Sequence, residues 1–253
     1  MRRPNRTYYA RMQALVLAAG WATRLGTITG GGPKHLLPIG SRTVIDFVLD
    51  RLGAVPEVER VTVITHDVFF QQFVDWAAAR HGRPPVTVMS DGTTSLDTRL
   101  GAVGDMAYFI RESGIDDDLL AIAGDNLFDF DLAPLARAAC RDLVVGLFDV
   151  ESLDLATRYG VVEINDEGVV TSFVEKPERP RSTLASAAIY GIPRARLGAV
   201  QAFMDAGGDP DKSGELIAWL HTHERVLGRV FSGRWIDIGS PDEYARAQAE
   251  FGG

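Results

Sequence analysis

The chain has little cysteine, no long apolar run and no excess of basic residues. Its single cysteine, Cys140, excludes an internal disulfide bond and is typical of a reducing compartment, so we expect a cytoplasmic protein. No apolar run approaches the roughly 20 residues that cross a bilayer. The formal net charge of -8 is unsuited to non-specific binding of DNA or RNA. These absences predict a soluble protein that binds neither membranes nor nucleic acid.

Lysine is also scarce, because the 26 basic residues include only Lys34, Lys176 and Lys212. Arginine therefore supplies most of the basic surface. Lys34 follows a proline and Lys176 stands between a glutamate and a proline, so both positions are candidates for sites that need a compact ammonium group. The alternative is that they are ordinary solvated surface lysines.

The 253 residues, 46% of them hydrophobic, are enough for one large domain with a substantial core. Residues 1–11 are basic and precede an apolar stretch too short for a secretory signal, so we expect them to be a flexible extension. Residues 12–250 are then expected to form a single domain. The sequence leaves open whether it forms a homo-oligomer.

The first half predicts an α/β fold. Apolar or β-branched runs at 14–18, 61–65, 86–89 and 119–123 are typical of strands buried on both faces. Apolar residues recur at helical spacing over 44–52 and 69–77. Strands separated by helices favour a Rossmann-like, three-layer, mostly parallel sheet, whose ligands bind at the carboxyl ends of the strands.

The second half predicts an antiparallel extension. Closely spaced strand candidates follow one another, and residues 165–168, Asn-Asp-Glu-Gly, are typical of a hairpin turn. The strand candidates are 143–148, 161–164, 169–174, 184–190 and 226–231. Helical patterns lie near 194–206, 213–222 and 241–250.

A glycine-rich segment follows the first strand. Small residues allow backbone N–H groups to approach a ligand, and Arg24 and Lys34 add positive charge to the same loop. Neither the dinucleotide-binding pattern nor the P-loop pattern is present. On glycine content alone, the segment could equally be a surface connection.

This segment resembles the signature loop of the sugar-phosphate nucleotidylyltransferases, such as the glucose-1-phosphate thymidylyl- and uridylyltransferases. Residues 17–25 read Leu-Ala-Ala-Gly-Trp-Ala-Thr-Arg-Leu, and residues 33–38 read Pro-Lys-His-Leu-Leu-Pro. The chain differs from the family pattern at Ala22, where glycine is usual, and at His35. The resemblance implies the nucleotide-diphospho-sugar transferase fold, with a nucleotide-binding half over 12–141 and an acceptor-binding half over 142–250. It also implies nucleotide contacts from Ala18, Ala19, Gly20, Thr23 and Arg24.

Two carboxylates are candidates for a metal site. The apolar run 119–123 ends in Gly124-Asp125-Asn126, and a buried strand that delivers Asp125 at its carboxyl end suits Mg²⁺, although such an aspartate could also cap a helix. The Gly-Asp-Asn segment and Trp235-Ile236-Asp237-Ile238-Gly239 are both similar to family motifs. The resemblance implies that Asp125 and Asp237 bind Mg²⁺, with Gly124 beside the nucleotide.

The acceptor side resembles the family as well. Tyr159-Gly160-Val161 and Glu175-Lys176-Pro177 are similar to its Tyr-Gly-Val and Glu-Lys-Pro motifs, which implies that Tyr159, Gly160, Glu175 and Lys176 bind the sugar phosphate. Lys176 is then a catalytic residue, together with Arg24 and Lys34. Residues 91–101 fit poorly, since Thr98-Arg99 replaces the glycine near which the family recognises the nucleobase. We assign Thr93 and Thr98 to nucleotide binding, while the base remains open.

The expected activity is transfer of a nucleotidyl group from a nucleoside triphosphate (NTP) to a sugar 1-phosphate, with release of pyrophosphate. Its acceptor oxygen is already anionic, so positioning and charge neutralisation replace a protein nucleophile. Three alternatives remain: a non-sugar acceptor such as phosphocholine or a cyclitol phosphate, a catalytically silent nucleotide sensor, and a glycosyltransferase with Asp129-Phe130-Asp131 as its metal motif. The pair His221 and His223 lacks the further ligands that a zinc site needs.

Overall fold

The computed structural model describes residues 11–253, so the flexible extension expected over 1–11 lies outside the described residues except for Arg11. Its strands are β1 (Met12–Leu17), β2 (Pro38–Ile39), β3 (Arg42–Thr43), β4 (Val58–Thr65), β5 (Val86–Ser90), β6 (Asp118–Ala123), β7 (Asn126–Phe128), β8 (Leu143–Asp149), β9 (Gly160–Ile164), β10 (Val170–Glu175), β11 (Leu184–Ile192), β12 (Val226–Phe231) and β13 (Trp235–Asp237). Its helices are α1 (Val44–Gly53), α2 (Asp67–Ala78), α3 (Gly101–Ser113), α4 (Ala133–Ala139), α5 (Leu153–Ala156), α6 (Gly198–Asp205), α7 (Ser213–His223) and α8 (Pro241–Phe251). None of these helices is both long and apolar enough to cross a membrane.

One mixed sheet forms the centre of the molecule. Strands β6, β1, β4 and β5 lie side by side in parallel, with helices connecting successive members of this group. The antiparallel strand β11 joins β6 to the later strands, in the order β10-β9-β11-β6-β1-β4-β5, and β8 and β12 continue from β11. The predicted α/β fold with an antiparallel extension is therefore confirmed, and both halves of the chain share a single sheet.

The strands bury side chains on both faces, as their apolar sequences predict. Along β1, Ala14 and Val16 pack with α1 and α2 on one face, while Leu15 and Leu17 pack with α3 on the other. This alternation follows from the two-residue period of a strand. Burying both faces fixes the register of β1 and β6, and thereby fixes where their carboxyl ends lie.

A third apolar cluster lies beside these carboxyl ends. It contains Leu127 from β7, Ile236 from β13 and Ile238 after it, packed against residues of the glycine-rich segment and α8. Burial of three such side chains contributes about 1.5–3 kcal/mol each. This cluster holds the short β7–β13 ladder against the segment that follows β1 and against α8.

The loop before α7 is fastened to the start of α3. The carbonyl of Pro210 accepts hydrogen bonds from the amides of Val103 at 2.8 Å and Gly104 at 3.3 Å. Gly101 has φ +79°, and a Cβ on it would lie 2.5 Å from Cα of Asp211. Glycine is therefore required here both by its backbone conformation and by the close approach of the loop.

We expect Gly101→Ala to lower the free energy of unfolding by about 2–4 kcal/mol, because the new methyl group meets backbone atoms and the left-handed conformation is strained. Urea unfolding monitored by circular dichroism measures the change. Gly114→Ala is the matched control, since Gly114 has φ +58° but nothing within 4 Å of the added carbon. That control should lose only about 1 kcal/mol; equal losses in the two variants would contradict the role of the close approach.

Candidate active site

Two acidic residues from distant parts of the chain meet where β7 pairs with β13. Asp237 lies opposite Asn126 in this antiparallel ladder, and the amide of Ile238 donates to the carbonyl of Asp125 at 3.0 Å. Asp125 precedes a strand, so the alternative that it caps a helix is wrong. Ile236 and Ile238 face the third apolar cluster, which turns Asp237 to the opposite side, as the alternation of its neighbours predicts.

Gly124 allows β6 to end close to β1. A Cβ at this position would lie 2.9 Å from Cγ1 of Val16 and 3.0 Å from the carbonyl oxygen of Leu17. The Gly124 amide donates to that carbonyl at 2.9 Å. A larger residue would push Asp125 away from the sheet edge, so we interpret Gly124 as a residue that positions this carboxylate.

Lys34 brings a positive charge to the acidic pair. Its Nζ forms an ion pair with Oδ2 of Asp125 and donates to the carbonyl of Ile238 at 3.3 Å. Burial disfavours the charge on Lys34, but attraction to Asp125 and Asp237 outweighs burial and raises the pKa of the lysine. Burial likewise opposes the charge on Asp125, but Lys34 and His35 lower the pKa of that carboxyl. The buried Lys34–Asp125 pair is therefore charged.

Asp237 behaves differently from Asp125. Burial and the neighbouring charge of Asp125 raise its pKa to about 7, despite the opposing influence of Lys34 and Arg24. Two like charges in one buried place repel each other, and a single lysine offsets only one of them. An additional cation at this position would favour the ionised form of Asp237.

A first cleft of about 490 Å³ opens beside Asp125. The glycine-rich segment contributes Ala19, Gly20, Thr23 and Lys34 to its wall. The other predicted nucleotide contacts are placed differently, since the lining does not include Ala18, Arg24, Thr93, Thr98 or Gly124. Thr93 and Thr98 make local hydrogen bonds, to Asp91 and Ser95 respectively.

Ala22, one of the two residues that depart from the family pattern, lines this cleft in a left-handed conformation, with φ +52°. Glycine adopts this conformation without a steric cost, whereas alanine pays about 1–2 kcal/mol. The backbone of the loop is thus the one that glycine would favour, although the side chain is a methyl group. Trp21 beside it stacks on His66, with ring centroids 4.1 Å apart.

A second cleft of about 590 Å³ lies beside Asp237. It is lined by all four predicted acceptor residues and by Arg24: Tyr159, Gly160, Glu175, Lys176 and Arg24. A Cβ on Gly160 would lie 2.4 Å from the ring of Phe173 and 3.0 Å from Oε2 of Glu175. The glycine therefore leaves room for the Glu175 carboxylate at the cleft wall.

The two clefts adjoin, because both are lined by Ala188, Asp211 and Ser213. Asp211 pairs with Arg99 at 2.9 Å, which ties the loop after β5 to the loop before α7. The two clefts therefore share one wall. Asp125 lines the first cleft, and Asp237 lines the second.

A family model for nucleotidyl transferases matches residues 13–252, nearly the whole described chain. The chain belongs to this nucleotidyl transferase family. The resemblance of its sequence motifs to nucleotidylyltransferases is thereby confirmed.

Individual relatives agree with the family assignment. A Haloferax volcanii UTP–glucose-1-phosphate uridylyltransferase is 28% identical over 94% of this chain and 95% of its own. A Thermomicrobium roseum glucose-1-phosphate adenylyltransferase is 29% identical over 92% of this chain and 58% of its own. The structure of a UTP-bound UGPase from Acinetobacter baumannii has the same fold, with a TM-score of 0.75 and 19% identity over 96% of this chain and 93% of that one.

The carboxylates of the alternative metal motif have other partners in this nucleotidyl transferase. Asp129 accepts hydrogen bonds from the backbone and side chain of Arg234 at 2.7 and 2.8 Å, and Asp131 accepts from the amide of Ala133 at the start of α4. These structural partners account for both carboxylates of the Asp129-Phe130-Asp131 segment. No cluster of three or more metal-ligating side chains occurs within residues 11–253, and His223 is exposed on α7.

Several cleft residues escaped the sequence analysis. Asp91, Asp105 and Asp211 line the first cleft, and Arg158 and Lys212 line the second. Isolated acidic or basic residues carry no spacing signal, so only the folded chain identifies them. Arg99, noted in the sequence for its unusual position, also lines the first cleft.

The raised pKa of Asp237 predicts a pH-dependent stability. Between its ordinary value of 3.8 and about 7, the folded protein keeps a proton that the unfolded chain has lost, so stability falls as pH rises through this window. We expect Asp237→Asn to exceed the wild type in free energy of unfolding at pH 8, by on the order of 1–4 kcal/mol, and to match it near pH 4. Urea unfolding without divalent ions measures both.

The exposed Asp166 provides the control, because Asp166→Asn should change neither stability nor its pH dependence. A parallel shift of the Asp237→Asn curve at all pH values would show that the substitution acts through packing instead of ionisation.

Proposed function

We propose that this protein transfers a nucleotidyl group from an NTP to a sugar 1-phosphate and releases pyrophosphate. The supporting observation is the arrangement of the two adjoining clefts, which share a wall and meet at Asp125 and Asp237. The first cleft would hold the NTP and the second the acceptor. This corresponds to a nucleotide-binding half over 12–141 and an acceptor-binding half over 142–250.

The acidic pair fits a magnesium ion. Mg²⁺ takes one or two protein carboxylates and completes its coordination with water and phosphate oxygens, so it needs no larger cage of protein ligands. Lys34 pairs with only one of the two carboxylates, and burial together with the charge of Asp125 keeps the pKa of Asp237 raised. Asp125 and Asp237 would hold the ion, which when bound supplies positive charge against the phosphates of both substrates.

Each remaining residue has a role that follows from its position. Lys34 lines the first cleft beside Asp125, where its ammonium group would neutralise phosphate charge. Arg24 lines the second cleft. Its Nη2 lies 3.2 Å from where a Cβ on Gly239 would stand, and Gly239 is two residues after Asp237. Arg24 therefore borders the acidic pair from the acceptor side. The side chain of Lys176 is 60% exposed, and its Nζ lies 3.7 Å from Oε1 of Glu175, which is too far for a hydrogen bond. Its ammonium group would therefore be available to an acceptor phosphate.

The reaction needs no protein nucleophile. An oxygen of the acceptor phosphate attacks the α-phosphorus of the NTP, and the bond from that phosphorus to the bridging oxygen breaks as pyrophosphate leaves. Holding the two anions in line and offsetting their repulsion accounts for catalysis. The single cysteine and the NTP substrate favour a cytoplasmic location.

We expect Asp125→Asn to lower kcat/KM for pyrophosphate release at least about a hundredfold, because the variant loses a charged metal ligand. A coupled pyrophosphate assay across the four NTPs and a panel of sugar 1-phosphates measures the loss. Asp166→Asn is the control and should keep wild-type activity. Near-normal turnover by a folded Asp125→Asn protein would refute the role assigned to Asp125. If the wild-type protein bound NTP but released no pyrophosphate with any acceptor, the result would favour a silent nucleotide sensor.

We expect Lys176→Met to lower kcat/KM for the sugar 1-phosphate at least about a hundredfold, because the acceptor phosphate loses its counter-charge. The affinity for the NTP, measured by calorimetry, should stay within a factor of about two, since Lys176 lies outside the first cleft. Arg229→Met on β12 removes a distant exposed cation and should leave both values unchanged. Equal loss of NTP and acceptor binding would contradict the division of roles between the clefts.

A further inference from the structure

The carboxylate of Glu175 lies between two glycines that belong to different elements. A Cβ on Gly214, in the first turn of α7, would lie 2.4 Å from Oε2 of Glu175, and a Cβ on Gly160, which begins β9, would lie 3.0 Å from the same oxygen. Neither glycine has a positive φ, so space and not backbone conformation requires glycine here. Gly160 belongs to a motif that the sequence analysis singles out, whereas Gly214 does not.

The start of α7 is the fixed side of this slot. The hydroxyl of Tyr190 on β11 donates to Oγ of Ser213 at 2.9 Å, directly before Gly214. The carbonyl of Pro210 fastens the preceding loop to the start of α3. Glu175 is the flexible partner, because its side chain has three rotatable bonds. A group added to Gly214 would therefore move the carboxylate before it moved the helix.

The same carboxylate belongs to the second cleft. Glu175, Gly160 and Gly214 all line it, and the side chain of Glu175 keeps 34% of its surface exposed. Since Oε1 lies beyond hydrogen-bond distance of the Lys176 ammonium group, it can accept a hydrogen bond from a ligand. Sugar hydroxyl groups are suitable donors, and bonds to a charged acceptor are the stronger ones.

We infer that Gly214 is a positioning residue, which sets the affinity for the acceptor by fixing the carboxylate of Glu175. The inference rests on the proposed function, since it takes the second cleft as the acceptor site. A side chain at position 214 would turn the carboxylate away from the helix. A displacement of about 1 Å is enough to break a hydrogen bond to the acceptor.

Gly214→Ala should impair binding more than folding. The atom that the new methyl group meets most closely is the end of the Glu175 side chain, which can rotate at little cost. The ring of Phe173 lies 2.9 Å from the same Cβ and is buried, so it is less free to move. Alanine also favours a helix more than glycine does. We therefore expect Tm to stay within about 4 °C of the wild type.

The test measures Gly214→Ala in the full chain with the best sugar 1-phosphate of the panel. We expect KM for this acceptor to rise at least about tenfold, because a hydrogen bond to a charged group is lost. The calorimetric affinity for the NTP should stay within a factor of about two, since Gly214 lines the second cleft and not the first. An unchanged KM for the acceptor would overturn the inference.

Gly198→Ala is the matched control. Gly198 also lies in the first turn of a helix, α6, but nothing lies within 4 Å of the added carbon. This variant should keep the wild-type KM for both substrates. An equal rise in KM in the two variants would show that the effect does not come from the contact with Glu175, and would overturn the inference.

A double-mutant cycle separates positioning from a general structural effect. If Gly214 acts through Glu175, adding Gly214→Ala to Glu175→Ala should change KM for the acceptor by less than about threefold, because the carboxylate is already gone. A tenfold rise in both backgrounds would mean that the methyl group acts through Phe173 or through the position of α7, and would overturn the inference. Failure of both Gly214→Ala and the double variant to fold would have the same meaning.

A crystal structure of Gly214→Ala tests the positioning step without turnover. We expect Oε2 of Glu175 to move by at least about 1 Å, the shift that restores van der Waals distance to the new Cβ, while α7 keeps its place. An unmoved carboxylate would overturn the inference. Absence of pyrophosphate release with every NTP and acceptor would overturn the proposed function instead, and the crystal structure with calorimetric binding of the sugar 1-phosphates would still decide the role of Gly214.

Discussion

The pairing of β7 with β13 is the constraint on which the candidate site depends. It brings Asp125 and Asp237 together although they lie in different halves of the chain. Two neighbouring carboxylates in a buried place repel each other, and Lys34 offsets only one charge. The apolar side chains of Leu127, Ile236 and Ile238, packed on the other side of the ladder, supply the stabilisation that holds the acids in place.

Backbone strain is concentrated in the same region. Three non-glycine residues with positive φ, Ala22, Lys176 and Ala188, line one or both clefts. Each costs about 1 kcal/mol or more, and such conformations persist only where the surrounding structure fixes them. Ala188 lies within β11 and Lys176 directly follows β10, so strand pairing in the central sheet constrains both backbones.

The sequence predicted the parallel strands and their helices correctly, because burial on both faces leaves continuous apolar runs that mark each strand. It also predicted Asp125 and Lys34 as site residues, and the structure brings both to the first cleft. It could not pair Asp125 with Asp237 from spacing, since that contact depends on a three-residue ladder with no signal of its own. Asp91, Asp105 and Asp211 were missed for the same reason, because their proximity arises from tertiary packing.

An acidic chain can hold two anionic substrates only through local charge. At physiological ionic strength, exposed charges farther apart than about 8 Å are largely screened, so the net charge of -8 has little influence inside the clefts. Arg24, Lys34 and Lys176 lie in the cleft walls, where screening by water is weakest for the buried Lys34. The scarcity of lysine elsewhere agrees with the proposed roles, since a compact ammonium group would let a phosphate approach a carboxylate without the bulk of a guanidinium.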